Sequence, residues 1–234
     1  MSGACDIEVV VFDVLGTMVD EPGGLRAAVR EAASASGAES GEASVDRLLD
    51  VWREHVEREQ RRIAENVRPY ANSQVIAREA AERVAGRIGL TDAAALDRLA
   101  TAAQRVRPWD DSLAVLAGLA GRFPVLALSD ASRTSLLRLN AHTGLRWHHT
   151  LSAEDARAYK PAPEVYRLAL DAAGSPPERV LMVAAHAWDL RGAQAVGMRT
   201  AYVRRPAGDP PRRDDSFTWR SSGLEELAAA LTGA

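Results

Sequence analysis

Four short runs are apolar almost from end to end: "IEVVVF" (7–12), "PVLALS" (124–129), "RVLMVA" (179–184) and "RTAYV" (199–203). A strand that is apolar on both faces needs cover on both faces, which is the situation of a parallel sheet. The stretches between the last three runs have the helical features to supply that cover. "SLLRLNAHTG" ends on Gly144, "PEVYRLALDAAG" opens on Pro163 and ends on Gly174, and "DLRGAQAVG" ends on Gly197. Proline at the first helical position and glycine just past the last is the normal asymmetry of a helix. Strands that alternate with helices in this way predict an α/β fold with a Rossmann-like parallel sheet.

Residues 21–107 break the rhythm, since they hold no convincing strand. "SVDRLLDVWREHVEREQRRI" puts Val45, Leu48, Leu49, Trp52 and Val56 on one helical stripe. "QVIAREAAERVAGRIG" does the same with Ile76, Ala80, Val84 and Ile88, and closes on Gly89. "TDAAALDRLATAAQRV" predicts a helix capped by Thr91 that stops before Pro108. The expected organisation is therefore a catalytic core from 1–20 and 108–234 and an inserted all-helical cap domain over 21–107. "PAGDPPRRDD" (206–215) reads as a solvated loop, the arginines of 204–213 as bland, and "GLEELAAALTG" as a final edge helix. No internal repeat is visible.

The bulk numbers remove whole classes of function. With 47% hydrophobic and 26% charged residues in 234, this is an ordinary globular composition. A net charge of −3 gives no support to a nucleic-acid or anionic-membrane partner. No apolar run approaches the length of a membrane-spanning helix. "MSGACDIE" lacks the apolar core of a signal peptide, so a cytoplasmic location is the default expectation. The single cysteine, Cys5, excludes an intrachain disulfide and a multi-thiolate metal site, and reads as a bystander before the first strand. His55, His142, His148 and His149 lack metal-ligand spacing and read as structural or surface residues.

If the sheet is parallel, its strand ends deliver polar groups to one place. The first run is followed by Asp13 and Thr17, and the second ends in Ser129 and Asp130. Lys160 stands in "AYKPAPEVY", where Pro161 and Pro163 hold an extended turn. "VAAHAWDLRGA" carries His186, Trp188 and Asp189. A carboxylate at the end of an apolar strand is costly to bury unless it is used or paired. This order of Asp-x-x-x-Thr, helical insertion, Ser, Lys-Pro and Asp resembles the haloacid dehalogenase superfamily over essentially the whole chain. In the phosphatases of that superfamily an Asp two residues after the nucleophile is the general acid and base, and an Asp of the fourth motif holds magnesium. Here those places fall on Leu15 and Ala185. "FDVLGTMVD" and "AWDLRGA" are instead similar to the 2-haloacid dehalogenase branch, whose members need no metal. Trp52 and Arg53 in "VWREH" match a Trp-Arg pair of the first long cap helix, and Tyr166 matches a family tyrosine.

The resemblance implies a small-molecule substrate, no cofactor and room for a homodimer. Asp13 would displace halide from the substrate carbon and form an ester. Arg53 would receive the halide, Lys160 would keep Asp13 ionised, Thr17 and Ser129 would donate hydroxyls, and Asp189 would activate the hydrolytic water. Leu15, Asp130, Tyr166, His186 and Trp188 would line the substrate site. Two alternatives stay open: a phosphatase that recruits metal through Asp130 and Asp189, and a binding protein without turnover. Arg53 as a solvated cap residue, Trp188 as plain packing and His186 as either substrate donor or structural imidazole also stay open. The chain departs from the family at Asp130, where an asparagine is usual, and at "AAH", where a serine is usual. Asp130 adds a third carboxylate against Lys160 and Arg53. It would have to cap the helix near Ser132, pair with Arg133 or take up a proton.

Overall fold

The computed structural model describes residues 6–233, so Cys5 lies outside the described residues. One six-stranded sheet is formed by β1 (Val9–Phe12), β2 (Val125–Ser129), β3 (His149–Ser152), β4 (Val180–Ala184), β5 (Arg199–Val203) and β6 (Trp219–Ser221). Its order is β3-β2-β1-β4-β5-β6, and every pairing is parallel. The four apolar runs are the four inner strands. The two edges, β3 and β6, were not recognisable as strands from the sequence. Helices in chain order are α1 (Glu21–Ser36), α2 (Glu42–Ala64), α3 (Ser73–Ile88), α4 (Ala93–Ala100), α5 (Ser112–Ala120), α6 (Arg133–Thr143), α7 (Pro163–Ala173), α8 (Ala187–Ala195) and α9 (Leu224–Thr232). The chain divides into two compact units, one of residues 1–20, 108–130 and 144–234, the other of 21–107 and 131–143.

In the sheet unit, Val10, Val11 and Phe12 of β1 are completely buried, as are Val180 to Ala184 of β4. Each large side chain buried in this way stabilises the fold by about 1.5–3 kcal/mol. Burial therefore concentrates on the centre of the sheet and leaves the edges with little: only two of the four residues of β3 are buried. The strand order reverses beside β1, with β2 and β3 on one side and β4, β5 and β6 on the other. In open α/β sheets the crevice at such a reversal, beyond the carboxyl ends of the strands, is where ligands bind. Asp13 stands there, and its N–H extends the ladder to Val183 O at 2.9 Å.

The helical unit has its own core, built on Leu25, Val29, Leu49, Trp52, Ala80 and Val84. The expected stripes are those that are buried, with Val56 and Ile88 half-buried at their ends. Gly89 closes α3 at φ 65°. The cap of α4 is Asp92 rather than Thr91: its carboxyl oxygens accept from Ala94 N and Ala95 N, both at 3.1 Å. An aspartate there answers two free N–H groups and carries a charge suited to the helix N-terminus. Nor does α4 run on toward Pro108. It stops at Ala100, where the Thr101 hydroxyl bonds back to Asp97 O at 2.7 Å, and a single 3₁₀ turn follows over Ala102–Gln104. Among the described residues no helix is long and apolar enough to cross a membrane.

Candidate active site

Asp13 follows β1 directly and is 6% exposed. Both of its oxygens accept hydrogen bonds. Thr17 Oγ1 donates to Oδ2 at 2.7 Å, and Lys160 Nζ donates to Oδ1 at 2.9 Å. The Thr17 hydroxyl is itself fixed by Ala185 N, which donates to it at 2.9 Å from the end of β4. Between Asp13 and Thr17 the chain turns through Gly16 at φ +80°. A Cβ on Gly16 would stand 2.6 Å from His186 Nε2, so the imidazole lies directly over this turn. Glycine is required here by the backbone and by the space.

Lys160 is the hub. Its ammonium also donates to Asp189 Oδ2 at 2.8 Å, so it stands between two buried carboxylates. Burial works against the ammonium, but Asp13, Asp189 and Asp130 outweigh it and hold Lys160 above the ordinary lysine range. Asp189 lies in the first turn of α8, where the helix dipole favours a negative charge. Its other oxygen accepts from the Tyr166 hydroxyl at 2.7 Å. Desolvation, together with the nearby Asp13 charge, still raises the Asp189 pKa despite these donors. Desolvation and the Asp189 charge likewise push the Tyr166 phenol upward, so it serves as a donor. Tyr166 comes from α7 and is wholly buried. It fits because residue 192 on α8 is glycine: a Cβ there would be 2.4 Å from the phenol oxygen.

The third carboxylate joins the same group. Asp130 Oδ1 accepts from the backbone N–H of Lys160 at 3.0 Å. At the start of α6, Ser132 Oγ accepts from Ser135 N at 3.1 Å. Desolvation pushes the Asp130 pKa up to about 7, against the pull of Lys160. Ser129 ends β2, buried and in register with Ser152. Leu15 is half-buried in the turn after Asp13. His186 and Trp188 stack with ring centroids 5.9 Å apart, and Trp188 is 37% exposed. So Asp13, Thr17, Asp130, Lys160, Tyr166, His186 and Asp189 are joined within the sheet unit by contacts at the strand ends. Arg53 belongs to the helical unit, half-exposed on α2 with its guanidinium 3.7 Å from Asp50.

The segment after β5 needs correcting. Arg205 is neither bland nor solvated: its side chain is 8% exposed, pairs with Asp111 and donates to Thr17 O at 2.9 Å. Asp209 is a helix cap in all but sequence position, with its carbonyl accepting from Ala187 N at 3.0 Å and its carboxyl from Trp188 N at 3.1 Å. Asp215 holds Arg191 at 2.9 Å. Trp109 and Ser112 reach the turn after Asp13 from the start of α5 and were equally invisible. Donors that bond to backbone carbonyls leave no spacing to read. The one sequence signal was the clustering of Trp109, Asp111 and Ser112 where the chain re-enters the sheet unit.

The family model for haloacid dehalogenase-like hydrolases matches residues 7–197. The chain is 30% identical over 203 residues to an (S)-2-haloacid dehalogenase of Pseudomonas putida, covering 85% of this chain and 86% of that one. It is 30% identical over 221 residues to an (S)-2-haloacid dehalogenase of Burkholderia cepacia, covering 93% and 91%. The crystal structure of a defluorinating L-2-haloacid dehalogenase superposes with a TM-score of 0.86 at 28% identity, over 97% of this chain and 95% of that one.

Proposed function

The chain belongs to the haloacid dehalogenase-like hydrolases, and from that premise we propose that it hydrolyses the carbon–halogen bond of a small 2-haloacid through an ester on Asp13, without a metal ion. The observation that carries this reading is the Lys160 ammonium between Asp13 and Asp189, at 2.9 and 2.8 Å. It holds one oxygen of the nucleophile in a fixed direction, and it places a positive charge between the two carboxylates without a metal ion. The side chains of Leu15 and Ala185, at the places where the phosphatases of the superfamily carry aspartates, offer no ligand atom. Displacement at carbon also leaves no phosphoryl charge to neutralise, which is the main task of a metal in phosphoryl transfer.

The steps balance without a cofactor. A carboxylate oxygen of Asp13 attacks the halogen-bearing carbon, a carbon–oxygen bond forms and halide departs with the electron pair. Water then adds to the side-chain carbon of Asp13, Asp189 takes its proton, and the ester opens to a 2-hydroxyacid and the free carboxylate. A base buried enough to have its pKa raised is better matched to that proton transfer than an ordinary aspartate. We assign the halide to Arg53, the substrate walls to Leu15, His186 and Trp188, supporting hydroxyls to Ser129 and Thr17, and the roles of core and cap to 1–20 with 108–234 and to 21–107. The test is one turnover in water labelled with heavy oxygen. Label should appear in Asp13, halide release should vanish in Asp13→Asn, and a chelator should change nothing. Label only in the product on the first turnover, or loss of activity on chelation, would sink the reading.

A further inference from the structure

The turn after Asp13 exposes three consecutive backbone carbonyls, and each accepts a hydrogen bond from a side chain far away in sequence. Trp109 Nε1 donates to Gly16 O at 3.2 Å, Arg205 Nε to Thr17 O at 2.9 Å, and Ser112 Oγ to Met18 O at 2.7 Å. Trp109 N adds a second bond to Met18 O at 3.2 Å. The middle donor is the best anchored. The two terminal nitrogens of Arg205 hold Asp111 at 3.0 and 2.7 Å, the two-pronged geometry only a guanidinium offers. The guanidinium also lies against the Trp109 ring, 5.5 Å from its centroid. Asp111 in turn accepts from Leu224 N at 3.1 Å, at the head of α9. One buried cation thus ties the segment after β5, the start of α5 and the head of α9 to the carbonyl of Thr17.

We propose that Arg205 is a positioning residue for the reaction at Asp13, acting through the backbone of Thr17. The path is short. Thr17 O is held by Arg205, and Thr17 Oγ1 both donates to Asp13 Oδ2 and accepts from Ala185 N. A turn free to shift by a fraction of an ångström would carry Thr17 Oγ1 with it and release one oxygen of the nucleophile. Misplacement on the scale of 1 Å costs about a hundredfold in rate. Arg205 touches no reacting atom, so its loss should act on turnover and not on substrate affinity.

The experiment has two arms, because its kinetic arm rests on the dehalogenase reading and its structural arm does not. In Arg205→Met, kcat for halide release should fall about thirty- to a hundredfold while KM stays within about twofold. Arg205→Lys should recover part of the loss, since an ammonium cannot grip Asp111 at two points and still reach Thr17 O. Asp111→Asn, the milder change, should lower kcat by about fivefold and keeps the test alive if Arg205→Met folds poorly. Arg213→Met, on the same loop but exposed, is the control and should match the wild type. In the second arm, hydrogen exchange of the Gly16, Met18 and Val19 amides, which bond within the turn, should quicken in Arg205→Met while exchange in α2 and α3 does not. If the wild type releases no halide from any haloacid, the dehalogenase reading falls and the exchange arm alone decides this one. Unchanged exchange over residues 14–19, faster exchange spread through both units, or a loss expressed in KM would overturn the proposal.

Discussion

Each unit contains a cluster of buried charge, and the two clusters are built in opposite senses. In the helical unit, Glu59 is 3% exposed and accepts from Arg58 at 3.1 Å, Arg62 at 3.0 Å and Arg68 at 2.8 Å. Arg68 also holds Glu79 at 2.8 and 2.6 Å, and His55 bridges between Arg58 and Glu79 as a neutral imidazole. Guanidiniums outnumber carboxylates there. Burial opposes the charge on Glu59, but Arg68 and Arg58 prevail and hold it at about 2. At the strand ends the count runs the other way, with Asp13, Asp130 and Asp189 around the single ammonium of Lys160. Asp130 and Asp189 are raised. The same residue types make a settled ion cluster when cations are in excess, and a poised one when they are scarce. Scarcity is what lets carboxylate pKa values rise there, the condition expected of a group that exchanges protons near neutral pH.

Removing the scarce cation should have the largest effect. Lys160→Met leaves Asp13 and Asp189 facing each other uncompensated, and halide release should fall on the order of a thousandfold. Arg68→Met, the matching change in the other cluster, should leave kcat within about twofold and lower the melting temperature instead. Equal kinetic losses in both variants would break the contrast. Next comes Glu59→Gln. A carboxyl held at about 2 instead of 4.5 contributes stability that is complete above pH 4.5 and is lost as pH falls toward 2. The variant should lose about 3 kcal/mol at neutral pH, from about 1.4 kcal/mol per pK unit, and its stability should no longer decline over that acid range. Urea unfolding at pH 2.5, 4 and 7 (roughly spanning the titration) reads it directly.

The smallest effect belongs to Asp130. With its pKa near 7 it is protonated below that pH and adds a third negative charge above it. Asp130→Asn should lower KM for 2-haloacids about tenfold above pH 7, the factor for about 1.4 kcal/mol, and do little at pH 6. The raised carboxyl also makes wild-type stability fall as pH rises from 3.8 through about 7. The variant should lack that decline. A KM shift that is the same at pH 6 and 9 (roughly one unit below and two above the titration) would show that the charge does not face the substrate.

What the sequence revealed divides along the same physical line. The inner strands were legible because "VVVF" and "VLMVA" are apolar at every position, Asp13 and Asp189 because they follow such runs, and Lys160 because Pro161 and Pro163 frame it in an extended turn. The edge strands were not. β3 is "HTLS", with an exposed His149, and β6 is three residues with an exposed Arg220; their partners lie on one side only, and composition carries no trace of that. Asp92 was displaced by Thr91 because both residue types cap helices and they are adjacent. Arg205 and Trp109 were missed because they serve backbone carbonyls, and Asp111 because it serves Arg205 and a backbone N–H; every residue has such backbone groups.

Gly192 and Tyr166 are also tied to each other in the order in which they can change. A methyl group at position 192 would meet not only the phenol oxygen at 2.4 Å but the ring carbons Cζ and Cε2 at 2.7 and 2.8 Å. Replacing Tyr166 by phenylalanine therefore does not open the position, and only a side chain without a ring would. Any lineage that puts a side chain at 192 has to surrender the donor to Asp189 first. The two sites behave as one heritable unit, in which the cost of the second change depends wholly on whether the first has happened. The order is one-way: with glycine at 192 Tyr166 can change first, and a side chain gained at 192 afterwards bars the tyrosine's return.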